Sequence, residues 1–226
     1  MKLSRLFGLI FIAVLAMGLM AASAAFASAP EFSPGTPQTF KSDSGTGKLE
    51  TSSGTKVECL TDLDSGEVTG PKTVGNVVVI FHNCHSPEGS GCSVKSELGP
   101  NPSLIITRTL DGELGSVKKT EAASGVGLLL LPTTGTTFVT IEGSCLPLSP
   151  SPVFGTLAGE VTPVNGTLAL DGKIIFQGNG EAGKQIIKTI NVLGVSLSPV
   201  LKALGVLESN EITVDLILFS SDVIVT

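Results

Sequence analysis

Short runs of β-branched and aliphatic residues, each cut off by glycine, proline, asparagine or aspartate, recur along this chain from Lys41 to its end. Runs of that length satisfy a strand and fall short of a helix, so the chain is confined to many short antiparallel strands joined by turns. Apolar residues make up 42% of the chain and charged ones 15%, enough apolar material to fill a core. The expected fold is therefore all-β: a single β-sandwich or flattened barrel over residues 41–226.

Individual strands follow from the same rhythm. Lys48 to Thr51 and Thr55 to Leu60 flank Ser52, Ser53 and Gly54, a hairpin signature. Val74 to Phe81 is a continuous apolar run, expected to form a central strand buried on both faces. Further strands are expected over residues 103–110, 125–131, 136–142 and 153–161. Asn165-Gly166 and Asp171-Gly172 mark hairpin turns, since type I′ turns need positive φ at both central residues. Near the end, Ile212, Val214, Leu216 and Leu218 alternate with Thr213, Asp215, Ile217 and Phe219, which predicts a closing strand with the first set on the core face. One short helix is expected near residues 199–207, where Ser198-Pro199 offers an N-terminal start and Val200, Leu201, Leu204 and Leu207 recur at helical spacing.

The first 27 residues have the composition of a secretory signal. Lys2 and Arg5 precede an apolar stretch from Leu6 to Met20, and Ala25-Phe26-Ala27 fits a cleavage site. Cleavage after Ala27 is favoured over cleavage after Ala29, which would place Pro30 directly behind the cut. Residues 28–40 are rich in proline and are expected to be a linker. Beyond the leader no stretch approaches the ~18 apolar residues that a membrane helix needs. Losing Lys2 and Arg5 would move the net charge from −6 to about −8, which leaves no basic footprint for nucleic acid. A secreted, extracellular protein is expected, in a compartment where cysteines oxidise.

Four cysteines, Cys59, Cys84, Cys92 and Cys145, allow three pairings. The segment between Cys84 and Cys92 is short and full of turn residues, so Cys84–Cys92 is expected, leaving Cys59–Cys145. A metal site using His82 and His85 beside Cys84 would need thiolates that oxidation removes, and no Cys-x-x-Cys is present. Structural disulfides are the expectation, with no metal and no cofactor.

Three further motifs mimic functional ones. Gly178 to Gln185 falls one residue short of a phosphate-binding loop, because Gln185 stands where Ser or Thr must ligate magnesium; a glycine-rich turn is expected. Leu131-Pro132-Thr133-Thr134-Gly135 spells a sortase signal but is followed by an ordinary strand, so it is expected to be a loop. Asp62-Leu63-Asp64-Ser65-Gly66 resembles the start of a calcium loop, with its glycine one residue early, and a solvated turn is expected.

No catalytic residue is expected. His82 and His85 are the only histidines, no Gly-x-Ser-x-Gly marks a nucleophile, and carboxylate pairs such as Asp111 and Glu113 are common on any surface. A glycan site is disfavoured by the absence of Trp and Tyr, the rings on which sugars stack, and Phe81, Phe138, Phe154 and Phe176 sit in core-like strands.

A series of landmarks remains. It comprises Glu50 to Gly54 with Val57 and Cys59, Gly66 to Gly75, Phe81-His82-Asn83-Cys84 with Cys92, Leu110 to Gly115, Val126-Gly127-Leu128, Val161 to Asn165 and Gly183-Lys184-Gln185. It resembles a large group of uncharacterised exported β-rich proteins of deep-branching soil actinobacteria. The resemblance implies a shared scaffold without a known activity, with Gly183 to Gln185 a landmark of the fold. The functional expectation is a secreted, non-catalytic extracellular or envelope-associated protein, structural or adhesive in role. The alternative is an extracellular ligand-binding module, for glycan above other ligands. The partner classes expected are the cell envelope or a glycan.

Overall fold

A computed structural model describes residues 29–35, 37–88, 92–119, 124–165, 168 and 172–226, and the backbone alone for 206–216. The leader at 1–27 and the turn residues Gly166 and Asp171 lie outside the described residues. The described chain is nearly all strand. It opens with β1 (Phe32–Ser33) and β2 (Gln38–Ser44), then the hairpin β3 (Gly47–Thr51) and β4 (Lys56–Cys59). Next come β5 (Thr61–Val68), β6 (Thr73–His82), and the short β7 (His85–Ser86), β8 (Cys92–Ser93), β9 (Lys95–Ser96) and β10 (Leu104–Ile106). β11 (Leu110–Lys118), β12 (Ser124–Pro132), β13 (Thr137–Glu142), β14 (Ser151–Gly155), β15 (Leu157–Thr162) and β16 (Gly172–Phe176) follow. The last are β17 (Thr189–Val192), β18 (Val195–Leu197), β19 (Leu201–Ala203), β20 (Val206–Phe219) and β21 (Ile224–Val225).

Eight of these close a barrel: β2, β5, β6, β11, β12, β15, β16 and β20, each antiparallel to the next, with β20 returning to β2. Neighbours in the ring follow chain order, so the barrel is of the up-and-down kind, whose closure removes free sheet edges. Every long excursion leaves the same end, where β2, β6, β12 and β16 finish; we call it the upper end. There the excursions pair in the order β8–β7–β4–β3–β20–β19–β14–β13–β9, and Val94 joins β8 to β9. This second layer of strands covers the barrel from above. At the lower end β1 pairs with β21, and Phe32, Val223 and Val225 are buried there.

Several expectations are corrected. Residues 28–40 are not a free linker: Phe32 is buried, its N–H bonds to Pro71 O at 2.6 Å, and β2 begins at Gln38. The expected helix near 199–207 is a hairpin. Leu204 and Gly205 both take positive φ (53° and 76°), the two-residue turn that pairs Ala203 with Val206. β6 is a barrel wall and not a doubly buried strand, because Val78 and Ile80 are only half-buried on its outer side. In β20 the core face is the other one at its lower half: Ile217 is buried and Leu218 is 53% exposed.

The cysteine pairing is also corrected: Cys59 joins Cys84, and Cys92 joins Cys145. The cause is register. Thr61 pairs with His82, so continuing that antiparallel ladder by two positions sets Cys59 against Cys84, with Cα atoms 4.0 Å apart. Across the segment expected to link Cys84 to Cys92, β7 pairs with β8 as His85 with Ser93 and Ser86 with Cys92. Cys84 therefore meets Val94, whose N–H it accepts at 3.0 Å, and Cys92 is left to reach Cys145 behind β13.

Candidate functional site: a carboxylate pair inside the barrel

Side chains alternate across a strand, so each wall strand turns every second residue inward. On β11, β12 and β15 the inward residues are apolar, including Leu110, Leu128, Leu130 and Leu157. On the upper parts of β2 and β5 they are not, although Phe40 and Val68 lower on the same faces are apolar. Ser42 and Ser44 of β2 are buried, and Asp62 and Asp64 of β5 face the same interior, while Leu63 between them points out and is 52% exposed. The expected solvated turn at Asp62 to Gly66 is thus the upper half of a barrel strand with its carboxylates turned in.

Ser42, Asp62 and Asp64 border a cavity of about 110 Å3 beneath the upper layer. Its remaining lining is dominated by Leu, Val, Ile and Phe, among them Phe40, Val79, Phe81 and Phe138, with Val57 and Cys59 from the covering strands. Interiors of proteins are close-packed, so a space of this size inside an eight-stranded barrel is a place where one small ligand fits. A cavity of ~150 Å3 is known to hold benzene.

The two aspartates are incompletely satisfied. Ser42 Oγ donates to Asp64 Oδ2 at 2.7 Å, but Asp62 Oδ1 and Asp64 Oδ1 are buried without a hydrogen-bond partner among the described residues. Asp62 is only 1% exposed. Burial pushes the Asp64 carboxyl up to about 7, helped by the neighbouring Asp62 charge and opposed by the Ser42 hydroxyl. Asp62 is raised too, first by burial; the Ser44 hydroxyl and the His82 charge act against that and Asp43 with it. Backbone pairing places Asp62, Ser44 and Asp215 in one cross-strand row.

The residues singled out from sequence fall elsewhere. His82 ends β6 opposite Thr61, and His85 sits in β7 opposite Glu58, its Nδ1 3.4 Å from Asn83 O. Among the described residues no three His, Cys, Asp or Glu side chains gather as a metal site would require. Asp111 and Glu113 alternate with buried Leu110, Gly112 and Leu114, so they lie on the outer side of β11. Leu131 and Pro132 end β12 and the rest of that pentapeptide turns into β13. Gly178 pairs with Gln185 across a tight turn in which Lys184 meets Glu181 at 2.8 Å. The Gln185 side chain accepts from Ala158 N at 3.1 Å, docking that turn on β15.

Sequence reasoning passed over Ser42, Ser44, Asp62 and Asp64 as a group. Their signal was there as two polar alternations, Ser42-Asp43-Ser44 and Asp62-Leu63-Asp64, but nothing local gives the direction each set faces. Compared with protein-family models, with curated proteins and with solved structures, the chain matches none.

Proposed function

We propose that this protein is an exported, non-catalytic binding module that encloses one small, largely apolar ligand in the upper half of its barrel. One observation carries the reading: two carboxylates with unpartnered buried oxygens face a largely apolar cavity of about 110 Å3. Buried polar groups in native proteins are nearly always partnered, and an unpartnered one costs ~1–3 kcal/mol. A mere scaffold gains nothing from that cost, whereas a ligand site uses it to orient what it binds. Export is supported by the composition of the first 27 residues, by both disulfides, and by the absence among the described residues of a helix long and apolar enough to cross a membrane.

The cavity is small beside the ~300–1,000 Å3 of drug-sized pockets, which suits a ligand of about one ring. Its leucine and valine lining favours hydrocarbon over sugar, so the ligand-binding reading is kept and glycan is not its preferred ligand. A structural or adhesive role is supported by a different surface. Leu193, Val195 and Leu197 of the β17–β18 hairpin are 68%, 58% and 39% exposed, an apolar tip suited to contact with another surface.

Methyl NMR of the disulfide-intact protein, titrated with a panel of ring-sized neutral and charged compounds, tests the binding reading. Saturable shifts at Leu128, Leu130 and Val139 are expected for at least one of them. Shifts confined to Leu193, Val195 and Leu197, or none, would favour the adhesive reading.

A further inference from the structure

We propose that the ligand is a compact apolar amine, held as its ammonium ion by Asp62 and Asp64; this rests on the reading of the cavity as a ligand site. The unpartnered polar atoms at the cavity, among the described residues, are carboxylate oxygens. An ionised carboxylate only accepts hydrogen bonds, and Asp62 Oδ1 and Asp64 Oδ1 have no partner among the described residues. The two aspartates stand two residues apart on one strand face, so their free oxygens address the same space. Asp62 is 1% exposed, which excludes bulk water as its routine partner.

Charge selects among possible donors. A neutral alcohol brings one donor and a primary amide two, but either leaves two like charges facing each other in largely apolar surroundings. An ammonium brings three N–H donors and a positive charge, and buried charges persist when paired and hydrogen-bonded. Among the described residues no cation pairs with Asp62 or Asp64. Lys48 borders the cavity, but its Nζ lies 3.9 Å from Glu50 Oε1. Burial raises both aspartates, the direction that a bound cation beside them would reverse.

A divalent cation fits less well. Calcium needs ~6–8 oxygen ligands and magnesium an octahedron with several waters. Besides the aspartates this lining offers only the Ser42 and Thr107 hydroxyls as side-chain oxygens, too few for either shell. Size then limits the amine to about one small ring, for which a cyclopentyl group serves as probe.

Calorimetric titration of the disulfide-intact protein at pH 8 with cyclopentylamine, cyclopentanol and calcium tests this. Cyclopentylamine should bind one per chain and at least about tenfold tighter than cyclopentanol, the margin of a charge-assisted hydrogen bond over a neutral one. Asp62→Asn and Asp64→Asn keep the shape of the side chain, remove its charge, and should each erase that preference while cyclopentanol still binds. Equal or tighter binding of cyclopentanol would overturn the amine assignment and leave the cavity reading standing. So would an amine preference that survives both substitutions. Calcium binding without amine binding would replace the assignment with a metal site, and silence from all three would overturn the assignment together with the reading beneath it.

Discussion

The β11–β12–β15 side of the barrel and the β2–β5–β20 side are built by the same ladder yet turn opposite chemistry inward. On the first, Leu128 and Leu130 face the cavity while Leu129 is buried on the other side, under Ile187, Ile190 and Val192. The lower part of that wall is apolar on its outer face too, because β17 pairs with the end of β11 and Ile187, Ile190 and Val192 pack over Val117, Leu129 and Ala158. On the second, Ser42, Ser44, Asp62 and Asp64 face in, and Leu63 and Leu218 face water at 52% and 53% exposure. No described strand covers Leu63 or Leu218. The lesson is a division of labour: one sector of the wall holds the barrel together, and the facing sector gives up burial to present acceptors.

The division predicts opposite signs for substitutions a few ångströms across the same cavity. Leu130→Ala removes a buried side chain from the apolar sector and enlarges the void. It should cost about 2–5 kcal/mol, read as a lower urea midpoint at unchanged slope. A cost below about 1 kcal/mol would mean that this wall is not the stabilising one.

Asp64→Asn should act the other way. It removes a charge that burial disfavours and keeps a group able to accept from Ser42, so the ligand-free protein should gain about 1–3 kcal/mol near neutral pH. Destabilisation on this substitution would show that the ionised pair has a counter-ion in the empty barrel.

How far the two sectors could be told apart in the sequence follows from what alternation encodes. Asp62-Leu63-Asp64-Ser65 reads as a solvated turn because its one apolar residue hides a strand, and even as a strand its alternation does not say which face the barrel encloses. The default of leucine in and aspartate out is wrong here, and the same default misplaced Leu218 against Ile217. Where the default and the function agree, reading was direct: the Ser52-Ser53-Gly54 hairpin, with Gly54 at φ 87°, is found between β3 and β4. Ring closure and the cysteine pairs depend on which strands become neighbours, a property of the whole chain. The turn at Leu204-Gly205 was legible only by its glycine, and leucines three apart around it imitate a helix.

The inverted sector should also give the empty protein an unusual pH dependence. Asp64 has its folded pKa raised to about 7 from an ordinary 3.8, so folding favours its protonated form. Its contribution is fully present below about pH 4, is lost as pH climbs toward 7, and is flat beyond. Denaturant midpoints collected from pH 4 to 8 should fall across that window, with a slope of at most ~1.4 kcal/mol per pH unit for one proton. Asp64→Asn should flatten the curve, and Leu130→Ala should shift it without changing its shape. A wild-type curve that rises through the window would place the carboxylates in a stabilising environment and contradict the inversion.

The smallest effect belongs to the outward leucines, and it separates inversion from simple polarity. If Leu63 and Leu218 face water as their exposure states, Leu63→Ser and Leu218→Ser each give up little apolar burial. Both should stay within about 0.5 kcal/mol of the parent, although serine in place of a leucine in a barrel strand would ordinarily cost several times more. Leu63 pairs across the ladder with Asp43 and Ile80, so the half-buried Ile80 is the one apolar neighbour it can lose. Urea unfolding of the three proteins side by side, with Leu130→Ala as the large-effect reference, reads the difference. A loss near that of Leu130→Ala at either position would put that leucine under a covering surface, such as a second copy or a partner, and the outer face of β2, β5 and β20 would then be an interface.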